Sequence, residues 1–521
     1  MPVTTGLPGE RARRLPAVLL LAGVLISCSG TNSDPAASQP SGAGSSAPKS
    51  GAGATAAPVV RPSPRPGGAL VAVGAPEYAD SSGAVELYFP DGRHQQLTPD
   101  GLGLPPAQPW GDDPYALYPQ ALQFGSAVVK ADLNQDGVDD LVVGSEGGRI
   151  NTDEDEPTPE ELNEDFLTPD DADPAPGPSG RVWILLGGSG GFTRDRVIPV
   201  PVPAQVGNQA GAAVAVTARA SGTGHDLWVG APGLTVNGRA QAGAVYRFSV
   251  NMRAEPTLTD TITYNSRLVP GAAVSFDHFG SVLARARNGV VVGVPDRTVT
   301  GLPWAGEIVR LRTDRATDRM IEADAFNQDS AGIPGRATRA TYFGTAVAAN
   351  GVAVGIPRAR VEGRASAGSV QLFTTSTARR DSLTPAAALH QGSPGVPGAL
   401  NRYVEFGTNV AVGEFLCPGV TSLAIGSQYR ADAPPVPMNV TVVPLAGSDP
   451  SCAGTVLVGD GLPTTNSSGS INDADLRMAA IDSSAPGRDQ LLIVARVDDQ
   501  AKRIMLWSGP GSSLVTLGTA G

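Results

Sequence analysis

Phe279-Gly280-Ser281-Val282-Leu283-Ala284-Arg285-Ala286, followed by Gly289-Val290-Val291-Val292-Gly293-Val294-Pro295 and by Gly306-Glu307-Ile308-Val309-Arg310-Leu311-Arg312, decide the fold of this 521-residue chain. Each run is short, rich in Val and bounded by Gly, Pro or Asn, the pattern of antiparallel strands joined by turns. A fourth, weaker strand is expected near Met320. The next stretch repeats the order with Phe343-Gly344, then Val352-Ala353-Val354-Gly355-Ile356-Pro357, then Gly368-Ser369-Val370-Gln371-Leu372-Phe373. The glycine closing the second strand recurs as Gly74, Gly144, Gly230, Gly293, Gly355 and Gly426, with a weaker seventh copy around Ala495. The period is about 65 residues with four strands in each copy, which suits propeller blades packed radially better than a sandwich array or β-helix. The expectation is therefore an all-β fold, a seven-bladed β-propeller of four-stranded antiparallel blades spanning 67–521.

Phe-Gly heads four repeats, at Phe124-Gly125, Phe279-Gly280, Phe343-Gly344 and Phe406-Gly407. It marks an inner strand, where Gly lets neighbouring inner strands approach and Phe fills the space between blades. With Phe-Gly at the head and Gly-Ala-Pro or Gly-Val-Pro after the second strand, the chain resembles the FG-GAP repeat family of integrin α chains. Repeat three has Ala210-Gly211 instead, repeat one shows no Phe-Gly strand, and repeat seven keeps neither mark. Ring closure is thus left open: Ser513-Leu514-Val515-Thr516-Leu517-Gly518 reads either as the outer strand of the last blade or as the inner strand of the first.

Before the repeats lie two segments of different character. Residues 1–27 carry Arg11, Arg13 and Arg14, then an apolar run from Leu15 to Ile26 that is too short for a mature membrane span and is laid out as a secretory signal. The run ends in Leu25-Ile26-Ser27-Cys28, which resembles the lipobox of bacterial lipoproteins; Cys28 is then the acylated N-terminus, anchoring the protein at the extracytoplasmic face of the cell membrane. Residues 28–66 are almost only Ser, Gly, Ala and Pro, too poor in apolar surface to offset ordering entropy, and are read as a disordered linker. An exported protein favours a bonded cysteine pair, so Cys417 and Cys452 are expected to form a disulfide.

The sharpest motif is Asp132-Leu133-Asn134-Gln135-Asp136-Gly137-Val138-Asp139-Asp140, between the first and second strands of repeat two. Calcium is the cofactor it suits. A hard cation takes about six to eight oxygens, and alternate side chains of a turning loop converge on one point, with Gly allowing the turn. Asp132, Asn134 and Asp136 would supply side-chain oxygens, Val138 its carbonyl and Asp140 a closing carboxylate. The loop resembles the calcium loops of integrin α propellers and the start of an EF-hand loop, without the Glu at position twelve. Equivalent loops in the other repeats lack the acidic set, so one site is expected.

Strand alternation distributes the loops. First-to-second and third-to-fourth connections share one rim, which carries the metal loop, Cys417 and Cys452. Second-to-third and fourth-to-first connections share the other, where the resemblance to integrins places ligand-binding residues. The net charge is −12, and residues 151–174 alone hold eleven acids and no base. This insertion, 151–179, sits on the second rim and has two readings: an acidic arm that engages a basic partner or cation, or a solvated loop.

No basic footprint for nucleic acid is present. His94, His225, His278 and His390 are scattered, no HExxH occurs, and Gly187-Gly188-Ser189-Gly190-Gly191 matches GxSxG without a following helix pattern, so no catalytic residue is assigned. The expectation is a noncatalytic binding or envelope-scaffold module whose rim loops contact a protein or glycan. The alternative is an exported hydrolase or lyase whose carboxylates meet in the propeller channel.

Overall fold

In a computed structural model, the protein is described over residues 70–105, 122–147, 179–219, 222–314, 316–376, 382–428, 438–445, 452, 454–458, 462, 475–482, 489–496 and 502–520. Residues 1–27, expected to be a secretory signal, residues 28–66 with Cys28, expected to be a lipidated linker, and the insertion 151–179 except for Ser179 lie outside these residues.

Seven antiparallel sheets follow one another along the chain. Blade 1 holds β1 (Val71–Ala75), β2 (Ala84–Tyr88) and β3 (His94–Leu97); blade 2 holds β4 (Phe124–Ala131), β5 (Asp140–Ser145), β6 (Arg181–Leu185) and β7 (Val197–Pro199). Blade 3 comprises β8 (Ala213–Ala218), β9 (His225–Ala231), β10 (Ala244–Val250) and β11 (Pro256–Ile262). Blade 4 comprises β12 (Val282–Ala286), β13 (Gly289–Val294), β14 (Glu307–Thr313) and β15 (Met320–Phe326), the last where a weak strand was expected. Blade 5 holds β16 (Ala353–Ile356), β17 (Ser369–Ser376) and β18 (Ser382–Leu389). Blade 6 holds β19 (Phe406–Cys417), β20 (Val420–Ser427), β21 (Asn439–Pro444) and β22 (Thr455–Val458); blade 7 holds β23 (Asp475–Asp482), β24 (Asp489–Arg496), β25 (Lys502–Trp507) and β26 (Val515–Ala520). The fold is an all-β, seven-bladed propeller.

Among the described residues, blades 1 and 5 show three strands in their sheets. In blade 5 the inner run is present but irregular: Gly344 N donates to Gly355 O and Ala348 N to Ala353 O, and a turn through Asn350, at φ +61°, ends the ladder. Second strands such as β5 and β13 are buried on both faces because neighbouring blades cover them, which is why they read as unbroken apolar runs. The outer β11 faces water on one side and is mostly polar.

The Phe-Gly motif builds the seams. Phe124, Phe279, Phe343 and Phe406 are fully buried, and each pairs in parallel with a glycine of the preceding blade: Gly83, Gly243, Gly306 and Gly368. The glycine that follows does not meet the neighbouring inner strand, as expected, but the second and third strands of the preceding blade. Gly280 has φ +101°, and a Cβ there would lie 2.4 Å from the Ala244 carbonyl oxygen and 3.2 Å from the Gly230 Cα. Gly230 is the second-strand glycine of blade 3, so the two recurrent glycines of the repeat are partners across a seam. Ala210-Gly211 makes the same seam against Gly144 and Gly180, so the side chain of Phe is dispensable there. Between blades 6 and 7, Leu476 and Met478 sit over Gly426 instead.

A hydroxyl follows each of the four Phe-Gly pairs and fixes the turn. Ser126, Ser281, Thr345 and Thr408 donate their hydroxyls to the carbonyls of Gln123, His278, Tyr342 and Glu405, at 2.6 to 2.7 Å. Those four acceptors are left-handed, with φ between +48° and +57°.

The ring closes by side-chain packing. Val71, Val73 and Ala84 of blade 1 share a core with Ala479, Ile481, Leu492, Val494 and Ile504 of blade 7. Lys502 Nζ bonds Glu77 Oε2 at 2.8 Å across the same join. The segment 513–518 contributes to β26, the outer strand of blade 7, so it does not complete blade 1. No helix among the described residues is long and apolar enough to cross a membrane.

Candidate metal loop and the two rims

The loop between β4 and β5 is organised by its own side chains. Asp132 Oδ1 accepts from the Asp136 N–H at 3.0 Å and its Oδ2 from Gly137 at 2.9 Å. Asn134 Oδ1 accepts from Asp136 N, and Asp136 Oδ1 from Val138 N at 2.8 Å. Gln135 and Gly137 have φ of +58° and +85°, so the chain doubles back sharply there. These are Asx-type turns, available because Asn and Asp reach their own backbone two residues on.

Asp140 is set apart from the others. It is fully buried, its Oδ2 accepts from Leu133 N and its Oδ1 from Gly187 N, both at 2.9 Å. Burial pushes its pKa up to about 6, with the Asp136 charge adding to the rise, while the N–H groups of Gly187, Leu133 and Asn134 oppose it. Gly187 belongs to the Gly-rich stretch after β6; a Cβ on it would lie 2.1 Å from the Asp139 carbonyl oxygen. The Gly187–Gly191 run therefore cushions the loop, and Ser189 stands in a turn followed only by the short 3-10 turn Arg194–Arg196 and extended chain.

Asp132, Asn134, Asp136, Val138 and Asp140 thus lie in one loop. Among the described residues no three His, Cys, Asp or Glu side chains are grouped closely enough to hold an ion. The carboxylates of Asp132 and Asp136 turn onto loop N–H groups and that of Asp140 points inward. All five groups offer oxygens, the donor type a hard cation takes, but in this arrangement the side-chain oxygens of Asp132, Asn134, Asp136 and Asp140 accept from N–H groups instead of converging on one point.

Neighbouring residues that the motif did not reveal complete the setting. His225, at the start of β9, lies beside the loop; burial lowers its pKa, opposed by the Leu133 backbone and the Asp132 charge. Lys130 Nζ stands 3.4 Å from Asp139 Oδ2, and Arg196 Nη2 stands 3.8 Å from Asp136 Oδ2. His225 is about ninety residues away in sequence, and only packing of blade 3 against blade 2 brings it here.

On the same rim, Cys417 at the end of β19 and Cys452 before β22 are joined by a disulfide, with Cα atoms 6.0 Å apart. Glu414 N donates to Asp489 Oδ2 at 2.7 Å, tying blade 6 to blade 7 nearby.

The opposite rim is built by repeated loops. Three second-to-third loops end in small two-residue hairpins closed by the bridges Val236↔Arg239, Val299↔Leu302 and Val361↔Arg364. Their tips are Asn237-Gly238, Thr300-Gly301 and Glu362-Gly363, each pair at positive φ as a type I′ turn requires. Three fourth-to-first loops carry a serine whose Oγ accepts from an N–H three residues earlier: Ser266 from Thr263, Ser330 from Asn327 and Ser393 from His390, all at 3.0 Å. The recurring Ser and the Pro-Gly after it were a readable signal.

A buried charge network locks blades 3 and 4 at this rim. Tyr264 Oη donates to Glu307 Oε1 at 2.9 Å, Arg297 pairs with Asp277, and its guanidinium lies 4.0 Å over the Tyr264 ring. His278 bonds Asp296 and Gln241, both at 2.9 Å.

Residues 124–156 match the FG-GAP repeat family. No curated protein matches the chain. Among solved structures, AofleA from Arthrobotrys oligospora is similar at a TM-score of 0.34 and 7% identity, covering 87% of each chain. A mutant of that protein gives 0.34 at 6% identity, over 85% of this chain and 81% of that one. A mutant of the Aleuria aurantia lectin AAL in complex with Fucalpha1-6GlcNAc gives 0.27 at 7% identity, over 87% and 95%. The class that sequence and fold define is a seven-bladed β-propeller with an FG-GAP repeat.

Proposed function

We propose that this protein is a noncatalytic binding module, displayed outside the cell from a lipid anchor at Cys28, that contacts a protein or glycan through the rim of second-to-third and fourth-to-first loops. The observation that carries the reading is the construction of that rim. Three successive blades present matching hairpin tongues and serine-fixed loops on a rigid ring, and loops held on a rigid scaffold are where recognition concentrates. The FG-GAP match over 124–156 supports the same reading. Calcium at Asp132, Asn134, Asp136, Val138 and Asp140 would then brace a loop of the opposite rim, leaving the recognition rim free.

The test is affinity capture from the organism's envelope extract with the full chain in calcium, beside a variant lacking residues 151–179. Each captured partner is then purified and rebound directly. A partner that rebinds the intact protein supports the module and, if lost with the deletion, assigns the insertion a part in contact. Failure of both forms to bind any envelope component sinks the reading. Labelling with palmitate, retained by the wild type and lost in Cys28→Ala, tests the anchor separately.

A further inference from the structure

The recognition rim is not uniform in charge. Over blades 4 and 5 and the entry to blade 6, Arg336, Arg339, Arg360, Arg364 and Arg402 are all exposed. Among the described residues none of the five has a carboxylate partner: Arg360 Nη1 donates to Gly363 O at 3.0 Å and Arg364 Nε to Leu400 O at 2.8 Å. The acids of the same loops are few. Glu405 is neutralised by Arg358 at 3.2 Å, Asp329 caps the Ala337 N–H, and Glu362 stands at a hairpin tip.

The loops that carry these arginines are joined to one another along the rim. Arg339 lies 5.4 Å over the Trp304 ring, and Tyr342 N donates to Trp304 O. Arg358 lies 4.8 Å over the Tyr342 ring and bonds Glu405, whose neighbour Tyr403 donates its N–H to Ala365 O. Arg364 reaches the Leu400 carbonyl, two residues from Arg402. Stacking a guanidinium on an aromatic face holds its plane while leaving its N–H edge free for a carboxylate or sulfate. Residues 151–174 hold eleven of the 50 acids, which leaves 39 acids against 38 bases elsewhere, so this sector is a local excess of positive charge on a nearly neutral remainder.

We propose that this sector binds an acidic polysaccharide, whose repeated anionic groups meet Arg336, Arg339, Arg360, Arg364 and Arg402 in succession. A chain of hydrated anions fits better than a protein surface. Protein interfaces centre on desolvated apolar anchors, and none of the exposed large apolar side chains among the described residues belongs to the loops that carry these five arginines. The inference rests on the reading of the ring as a binding module and names the ligand class of its rim.

The test is binding of the purified full chain to immobilised polygalacturonate, with neutral dextran and poly-glutamate as comparison ligands. Saturable binding to polygalacturonate that weakens with rising salt is expected, with none to dextran. Combined Arg336→Ser, Arg360→Ser and Arg402→Ser should weaken it about tenfold or more, given the worth of exposed charge contacts. These side chains are exposed, so the melting temperature should hold, and Arg253→Ser on the opposite rim should bind as the wild type does. The proposal is overturned by no binding at low salt, by equal binding of the triple variant, or by tighter binding to poly-glutamate, which would make the partner an acidic peptide. A confirmed envelope partner without polygalacturonate binding removes this inference and leaves the binding-module reading in place.

Discussion

Replacing Gly280 with alanine tests the idea that paired glycines set the blade seams. Two costs add. At φ +101° an L-residue is strained by about 1–3 kcal/mol. The new methyl would also lie 2.4 Å from the Ala244 carbonyl oxygen, which belongs to a hydrogen-bonded strand and can yield only if blades 3 and 4 part. Overpacking of that kind costs about 1–3 kcal/mol more. Gly301 supplies the control, because it has φ +83° and a methyl added there would meet no atom within 4 Å, so Gly301→Ala carries the backbone cost alone. For a cooperative unit of this size, about 1 kcal/mol shifts the midpoint by about 1 °C. Thermal unfolding followed by far-UV circular dichroism should place Gly280→Ala about 2–6 °C below wild type and below Gly301→Ala. Equal midpoints for the two variants would show that close approach is not why the glycine is there.

Further outcomes follow from the same seams and loops. Chelating calcium from the full chain should lower its melting midpoint by about 2–3 °C, as loss of a ligand held at a hundred times its dissociation constant would, and Asp136→Ala should abolish the difference. An unchanged midpoint would remove calcium from the loop. Arg247 is buried with Asp226 at 2.8 Å and Asp260 at 3.0 Å, so Arg247→Met should destabilise by about 3–5 kcal/mol in urea unfolding. Adding Asp226→Asn should recover part of that loss, because the charge left behind is what costs most. Reducing Cys417–Cys452 should cost about 2–5 kcal/mol on the same scale, and a reduced protein with unchanged stability would show the bond to be idle.

Local chemistry explains which parts were readable beforehand. Runs such as Val290-Val291-Val292 announce buried strands, and Asp132 to Asp140 announces a sharply turning, oxygen-rich loop read as a calcium site, because each rests on neighbours within a few residues. Blade 5 was misleading for the same reason: Phe343 to Ala348 has strand composition, yet the left-handed Asn350 cuts its ladder short. The partner of the Phe-Gly glycine was misplaced because it lies one blade away, in a strand that sequence order does not pair with it. His225 beside the loop of Asp132 to Asp140 and the arginine sector carry no short-range mark.

The sequence by itself determined the all-β class, the sevenfold period, the position of the Asp- and Asn-rich loop between the first two strands of its blade and which rim each loop belongs to, since antiparallel alternation converts chain order into geometry. Only the tertiary structure decided that the ring closes by packing blade 7 on blade 1, that β26 is an outer strand, and that Asp140 is buried beneath Gly187. The first of these depends on side chains about four hundred residues apart sharing one buried surface, the others on packing between strands that local pattern does not pair, and such complementarity leaves no periodic trace in a single chain.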